Sequence, residues 1–382
     1  EAGGPFVTFF DPSVRLFPII PMAIKRRNVP MGVGLLSLLC SGLCRWKYFS
    51  RDNCYKVSVL VLTYLVFISY QMTRKPLSIV SNVLTRNCSN VALNSTNLTI
   101  FDDTSCGWKP FDGPDSEALL GLLQTLFLWS YAFTLFLGGF IAERVNLRYF
   151  LTFGMLLTAA STCSFGLGYT FGIHQYVYFV FCQILFGIFQ ATGWPGVITC
   201  VGNWFGKQRK GLIFGIWDSC TCAGSMLGSI IPSFWVETNW GLCFIIPGII
   251  MIALALITFL FLVTDPRQVQ CQLYEDDDQI SELLKEDSSF NSTEEYDEAI
   301  SFSRAFKIPG IIDFGLSLFF TKFIILTLHM WLPKYIKSST DFSAQESAKL
   351  SAWFDVGGIF GGILAGYVSD RSGMLVVPIA VM

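Results

Sequence analysis

"GFIAERVNLR" at 139–148 returns late in the chain as "GYVSDRSGML" at 366–375. Both copies read Gly-x-x-x-acid-Arg, through Gly139, Glu143 and Arg144 in the first and Gly366, Asp370 and Arg371 in the second. Each follows a long apolar run, the second and the eighth of the chain. A short loop between two membrane crossings suits such a pair, because the acid can cap the next helix while the arginine anchors at the interface. Recurrence after equivalent helices marks a chain built from two related helical bundles. Arg148 closes the first copy with a further cation.

The composition agrees. Of 382 residues, 52% are hydrophobic and only 14% charged, against about 25% charged in soluble proteins. A spanning helix takes roughly 20 mostly apolar residues. Such runs lie near 55–73, 117–141, 149–170, 175–200, 211–236, 240–263, 310–333 and 350–368, and another begins at Leu375. The sequence therefore predicts an all-α membrane protein. A net charge of -2 argues against nucleic acid, which requires a basic face. Twelve cysteines without a CxxC pair and only two histidines carry no zinc or haem signature, so no cofactor and no metal is expected.

Two signals set the topology. Sequons at Asn87, Asn94 and Asn97 crowd the loop after the first run, which reads as a glycosylated lumenal or extracellular loop over 74–116. Arg144, Arg148, Lys207, Arg209, Lys210 and Arg371 fall on the opposite side, which places the amino terminus in the cytosol. Cys88 and Cys106 in the outer loop are either a disulfide, worth roughly 3 kcal/mol for a loop of this length, or two free thiols. Residues 1–54 read as a cytosolic tail and 55–264 as a six-helix bundle. "YEDDDQISELLKEDSSFNSTEEYDEAI" at 274–300 is too acidic and polar to order itself, so 265–309 reads as a cytosolic linker whose sequon at Asn291 stays unmodified. Residues 310–382 then form a partial second bundle.

Several stretches carry a resemblance to a known family. "YQMTRKP" (70–76), "GWPGVITCVGNWFGK" (193–207), "KGLIFGIW" (210–217), "WLPKYI" (331–336) and "WFDVGGIFGGILAGYVSDRSG" (353–373) are similar to motifs of the major facilitator superfamily. The branch they resemble is the organophosphate:phosphate antiporters, and within it the glucose-6-phosphate exchangers. The resemblance implies a sugar phosphate and inorganic phosphate as partners, alongside the lipid bilayer, and an endoplasmic reticulum membrane as location.

It also implies a site. The family's first-helix arginine binds substrate phosphate, and its position here is Arg74; a planar guanidinium offers phosphate oxygens a bidentate fork and keeps its charge. A snorkelling flank is the plainer reading of Arg74, and Lys75 either assists or flanks. Lys322 stands in the middle of "LSLFFTKFIILTLHMW", where a lone charge costs at least about 2.5 kcal/mol. It serves as a second cation for the ligand or as the partner of Asp218. Where the family tends to show Asn and then His, this chain reads "WDSCTCAG" (217–224). Asp218, Cys220 and Thr221 take those places, and a carboxylate beside phosphate leaves the identity of the substrate open. His329 belongs to the outer mouth or hydrogen-bonds at a helix interface. Gly358, Gly362 and Gly366, like Gly224 and Gly228, recur every four residues and suit close helix packing.

The expected activity is antiport of a sugar phosphate against phosphate, with no chemical change and hence no enzyme. The alternatives are a non-transporting membrane sensor or scaffold, and a facilitator of another organic anion. Because the second bundle reads as partial, the chain alone is expected not to transport.

Overall fold

The computed structural model describes residues 30–34, 51–85, 107–205, 210–269 and 310–372. Helices stand at all eight places where the apolar runs lie. In chain order they are α1 (Arg51–Met72), α2 (Pro76–Leu84), α3 (Ser116–Arg144), α4 (Leu147–Thr170), α5 (Tyr176–Gln190), α6 (Gly193–Trp204), α7 (Lys210–Ser233), α8 (Leu242–Phe261), α9 (Ile311–Ser339) and α10 (Ala344–Ser372). Among the described residues, six stretches are long and apolar enough to cross a membrane: α1 with α2, α3, α4, α5 with α6, α8, and α9. Asn87, Cys88, Asn94, Asn97, Cys106, Lys207, Arg209, Asn291 and nearly all of the acidic linker lie outside the described residues.

Two crossings are broken. Pro76 has no N–H to offer Met72, so α1 stops and α2 begins at the proline. The Arg74 amide turns back to Gln71 (3.2 Å), and the Tyr70 carbonyl is taken by the Gln190 amide (2.9 Å) and the Thr73 hydroxyl (2.9 Å). The second break separates α5 from α6 at Ala191 and Thr192, just before Gly193-Trp194-Pro195. The breaks face each other, joined by a hydrogen bond between the Tyr70 and Thr192 hydroxyls (2.9 Å). Irregular backbone at membrane depth is tolerated where protein surrounds it.

α4 packs on α8 and α5, α3 on α5, and α1 on α7; α10 lies along α7, and α9 touches α10 and α2. The glycines of α7 permit this. A Cβ on Gly224 would stand 2.6 Å from the Ile68 carbonyl oxygen, and one on Gly228 2.6 Å from that of Met72. On α10, a Cβ at Gly358 would meet the Cys222 sulfur at 2.6 Å. Backbones that approach so closely gain the van der Waals contact that holds helices together in lipid.

The repeated motif sits in helices and not in loops, which corrects the reading above. Gly139 to Arg144 form the last turns of α3, and 366–371 those of α10. Only two residues separate α3 from α4, so the cap of α4 is Asn146, whose side chain accepts from the Arg148 amide (3.1 Å). Glu143 lies in the last turn of α3. Arg144 ends α3 at the negative end of its dipole. Arg148 is buried, its guanidinium near the rings of Tyr149 (5.2 Å) and Phe259 (5.6 Å).

Candidate binding site

Arg74 occupies the gap between α1 and α2. Its Nε donates to Gln190 Oε1 (3.2 Å), and its guanidinium carbon lies 4.6 Å from the centre of the Tyr131 ring. Gln190 is wholly buried, and its amide is oriented by the bonds it gives to Tyr70 and Thr73 Oγ1 (2.9 Å). Its oxygen therefore faces Arg74. Among the described residues, no side chain takes the two terminal guanidinium nitrogens. Arg74 lines a cavity of about 30 Å³ together with Ser78, Gln124, Ser161, Thr162 and Gln183, with Phe165 and Met330 among its apolar walls. That volume matches roughly one water molecule. An organic phosphate enters only when the helices around it part.

Lys75 points elsewhere. Its side chain is 1% exposed, and Nζ lies 3.6 Å from Asp355 Oδ2 and donates to the His329 carbonyl (3.1 Å). His329 Nδ1 lies 3.7 Å from Asp355 Oδ1, and Nε2 lies 3.3 Å from Ser225 Oγ. Lys75 thus ties the first bundle to α9 and α10 through a buried carboxylate. Ser78 Oγ bonds the Met330 carbonyl beside it.

Asp218 and Thr221 stand one turn apart on α7, where the carboxylate meets the Thr221 hydroxyl and the charge of Lys322. Lys322 lies on an exposed face of α9. Among the described residues, Lys322 and Asp218 form no ion pair within 4.0 Å. The geometry therefore brings Arg74 and Lys75 to one break and sets Asp218, Thr221 and Lys322 apart as a second, looser group. Gln190, Tyr131, Ser225 and Asp355 are the residues that the sequence reading passed over. A signal for two of them is present: Gln190 and Asp355 are polar groups inside apolar runs, where polar side chains mark functional positions.

The description Major Facilitator Superfamily matches residues 77–382. The chain is 46% identical over 340 residues to glucose-6-phosphate exchanger SLC37A2 of Danio rerio, covering 85% of this chain and 69% of that protein. It is 45% identical to the SLC37A2 exchanger of Mus musculus, over 87% of this chain and 71% of that one. Identity to glucose-6-phosphate exchanger SLC37A1 of Homo sapiens is 40%, over 85% and 70%. Among solved structures, a bacterial homologue of the human lysosomal transporter Spinster, inward-facing and unoccupied, matches with a TM-score of 0.56 at 16% identity; the match covers 83% of this chain and 63% of that one. A D-xylose-proton symporter matches with a TM-score of 0.54 at 15% identity, over 83% and 70%. These two likenesses speak for the fold alone. The chain is a multi-pass membrane protein of the Major Facilitator Superfamily, and within it belongs to the family of the glucose-6-phosphate exchangers.

Proposed function

We propose that this protein exchanges a sugar phosphate for inorganic phosphate across a membrane by alternating access, leaving both chemically unchanged. The observation that carries this reading is the Arg74 fork, held by Gln190 at a helix break beside a cavity lined by both polar and apolar side chains. Broken helices and a positive helix end at such a point are how transporters of this architecture hold anions. Relatives named as glucose-6-phosphate exchangers support a sugar phosphate as the organic partner.

The shape supports alternating access. Toward the end that bears the loop between α2 and α3, the halves touch through Asn82 Nδ2 and the Pro333 carbonyl (3.4 Å), Lys334 and Glu117 (3.0 Å), and Lys349 over the Phe234 ring (5.3 Å). Toward the other end, most described side chains of α9 before His329 are exposed.

For topology, we read the segment between α2 and α3 as a glycosylated lumenal loop, shorter than the 74–116 read from the sequence because 74–84 belong to the first crossing. We read 265–309 as a cytosolic linker and the amino terminus as cytosolic, in an endoplasmic reticulum membrane. Asn87→Gln, Asn94→Gln and Asn97→Gln combined should abolish a glycosidase-sensitive mobility shift; a shift that maps to Asn291 would invert this topology. Function is tested by uptake of radiolabelled phosphate into proteoliposomes loaded with phosphate or with a panel of sugar phosphates. Stimulation by one sugar phosphate above the others supports the exchanger. Saturable phosphate binding without counterflow favours a sensor, and stimulation by non-phosphate anions favours a different facilitator.

A further inference from the structure

Most polar side chains around the Arg74 cavity are already engaged within the protein. Ser161 donates to the Leu157 carbonyl (2.8 Å) and Thr162 to that of Thr158 (2.9 Å). Thr73 donates to the Tyr70 carbonyl and accepts from Gln190 (both 2.9 Å), and Ser78 bonds the Met330 carbonyl. Gln124 of α3 and Gln183 of α5 differ. They line the same cavity and are only 8% and 5% exposed, yet among the described residues neither carboxamide finds a hydrogen-bond partner. Buried polar side chains are ordinarily hydrogen-bonded, so two unengaged carboxamides in one cavity call for a partner from outside the chain.

The pair stands at one level of the bundle. The Arg74 guanidinium joins Tyr131 of α3 and Gln190 of α5, and one turn earlier Phe127 stacks on Phe186, with ring centres 5.1 Å apart. The two helices therefore run in step. Gln124 and Gln183 each come seven residues before the Arg74 contact on their own helix, two turns or about 10 Å along the same face. Inorganic phosphate at Arg74 is too short to span that distance, whereas a phosphate ester with several carbons reaches it. Phe127 and Phe186 line the cavity between the two levels and give the carbon chain an apolar wall. The carboxamides suit hydroxyl groups. Each offers two N–H donors and an acceptor oxygen, and an alcohol both gives and takes a hydrogen bond. A phosphate ester dianion only accepts, and would leave both carboxamide oxygens unserved.

We propose that Gln124 and Gln183 are specificity residues: they read the hydroxyl groups on the organic half of the ligand while Arg74 holds its phosphate. A ligand without those hydroxyls leaves the carboxamides buried and unpaired, and a site built for hydrogen bonds rejects such an analogue more strongly than it rejects a missing methylene. This inference rests on the reading of the Arg74 cavity as the phosphate site.

Deleting groups on both sides of the contact tests it. Binding of radiolabelled inorganic phosphate to the purified chain is competed with glucose-6-phosphate and with forms of it that each lack one ring hydroxyl. In the unaltered chain at least one deoxy form should compete about two- to tenfold less well, as the loss of one hydrogen bond dictates. Gln124→Met and Gln183→Met keep the length of the side chain but remove its donors. Each should lower the affinity for glucose-6-phosphate relative to that for inorganic phosphate, again about two- to tenfold. In the variant that has lost a hydroxyl's partner, removing that hydroxyl should cost nothing more, since the two groups act on each other. Deoxy forms that all compete like the parent sugar phosphate overturn the proposal without any variant. An unchanged affinity ratio in either variant overturns it too, as do losses that simply add, and the exchanger reading then stands. Binding of neither phosphate nor glucose-6-phosphate to the unaltered chain overturns the Arg74 site, and the exchanger reading with it.

Discussion

Arg74 and Gln190 work as one unit. Arg74→Lys keeps the charge but removes both the fork and the Nε–H that Gln190 accepts. Hydrogen bonds to charged groups contribute about 1.5–3 kcal/mol, so phosphate affinity should fall roughly ten- to a hundredfold, with thermal stability nearly unchanged. Gln190→Leu should differ. It strips one of two donors from the Tyr70 carbonyl at the break of α1 and the acceptor from Arg74 Nε, and leaving a buried polar group short of its partner costs about 1–3 kcal/mol. Gln190→Leu should therefore lower both phosphate affinity and the unfolding temperature. Affinity measured beside unfolding for the two variants checks the assignment, and a normal unfolding temperature in Gln190→Leu contradicts it.

Helix packing depends on where a methyl group has room. Alanine is a better helix former than glycine by about 1 kcal/mol, so glycine-to-alanine changes ordinarily help. At Gly228 the new carbon would stand 2.6 Å from the Met72 carbonyl oxygen and 3.0 Å from Lys75 Cβ, and overpacking costs about 1–3 kcal/mol. The clash wins: Gly228→Ala should lower the unfolding temperature, while Gly121→Ala on α3, with nothing within 4 Å, should hold or raise it. The start of α10 offers a pH test. Ser343 N donates to Glu346 Oε2 (2.9 Å) and Glu346 N to Ser343 Oγ (3.1 Å), a reciprocal cap at an exposed turn. The backbone N–H and hydroxyl of Ser343 hold the Glu346 carboxyl below its ordinary 4.5. A lowered carboxyl contributes stability that is present above the ordinary value and lost as pH falls through the folded one. Amide exchange in the first turn of α10 should accelerate below about pH 4.5 in the unaltered chain. Glu346→Gln should show no such step.

At the scale of the whole molecule, two ion pairs join the halves among the described residues, and their surroundings rank them. Glu117 is 72% exposed, and an exposed pair contributes about 0–1 kcal/mol. Lys75 and Asp355 are 1% and 4% exposed, and removing one member of a buried pair costs about 3–5 kcal/mol. Asp355→Asn should therefore destabilise the protein far more than Glu117→Gln. Lys75→Met with Asp355→Leu should recover much of that stability, since an apolar pair avoids the uncompensated charge. Chemical unfolding in detergent ranks the three, and equal losses from the two single variants would contradict the ranking. Rocking one half against the other must separate the buried pair, so its strength bears on transport as well as on folding.

The apolar runs alone foretell the helices, because burial in lipid is dictated residue by residue and needs no knowledge of neighbours. The repeated motif likewise exposes two bundles, and the guanidinium at 74 is the ground for proposing an anionic ligand. Lys75 was different. From the chain it reads as flank or ligand, and only the fold shows Asp355 and the His329 carbonyl against it, two hundred and more positions away. Gln190 was legible as an oddity in an apolar run, but its task depends on the α5–α6 break lying opposite the α1–α2 break. The motif at 139–148 shows the same limit, since spacing did not reveal that a two-residue turn moves it into the helix end. Which side chains meet is set by how α7, α9 and α10 turn about their axes as they pack, and interhelical distances of this kind have no counterpart in spacing along the chain.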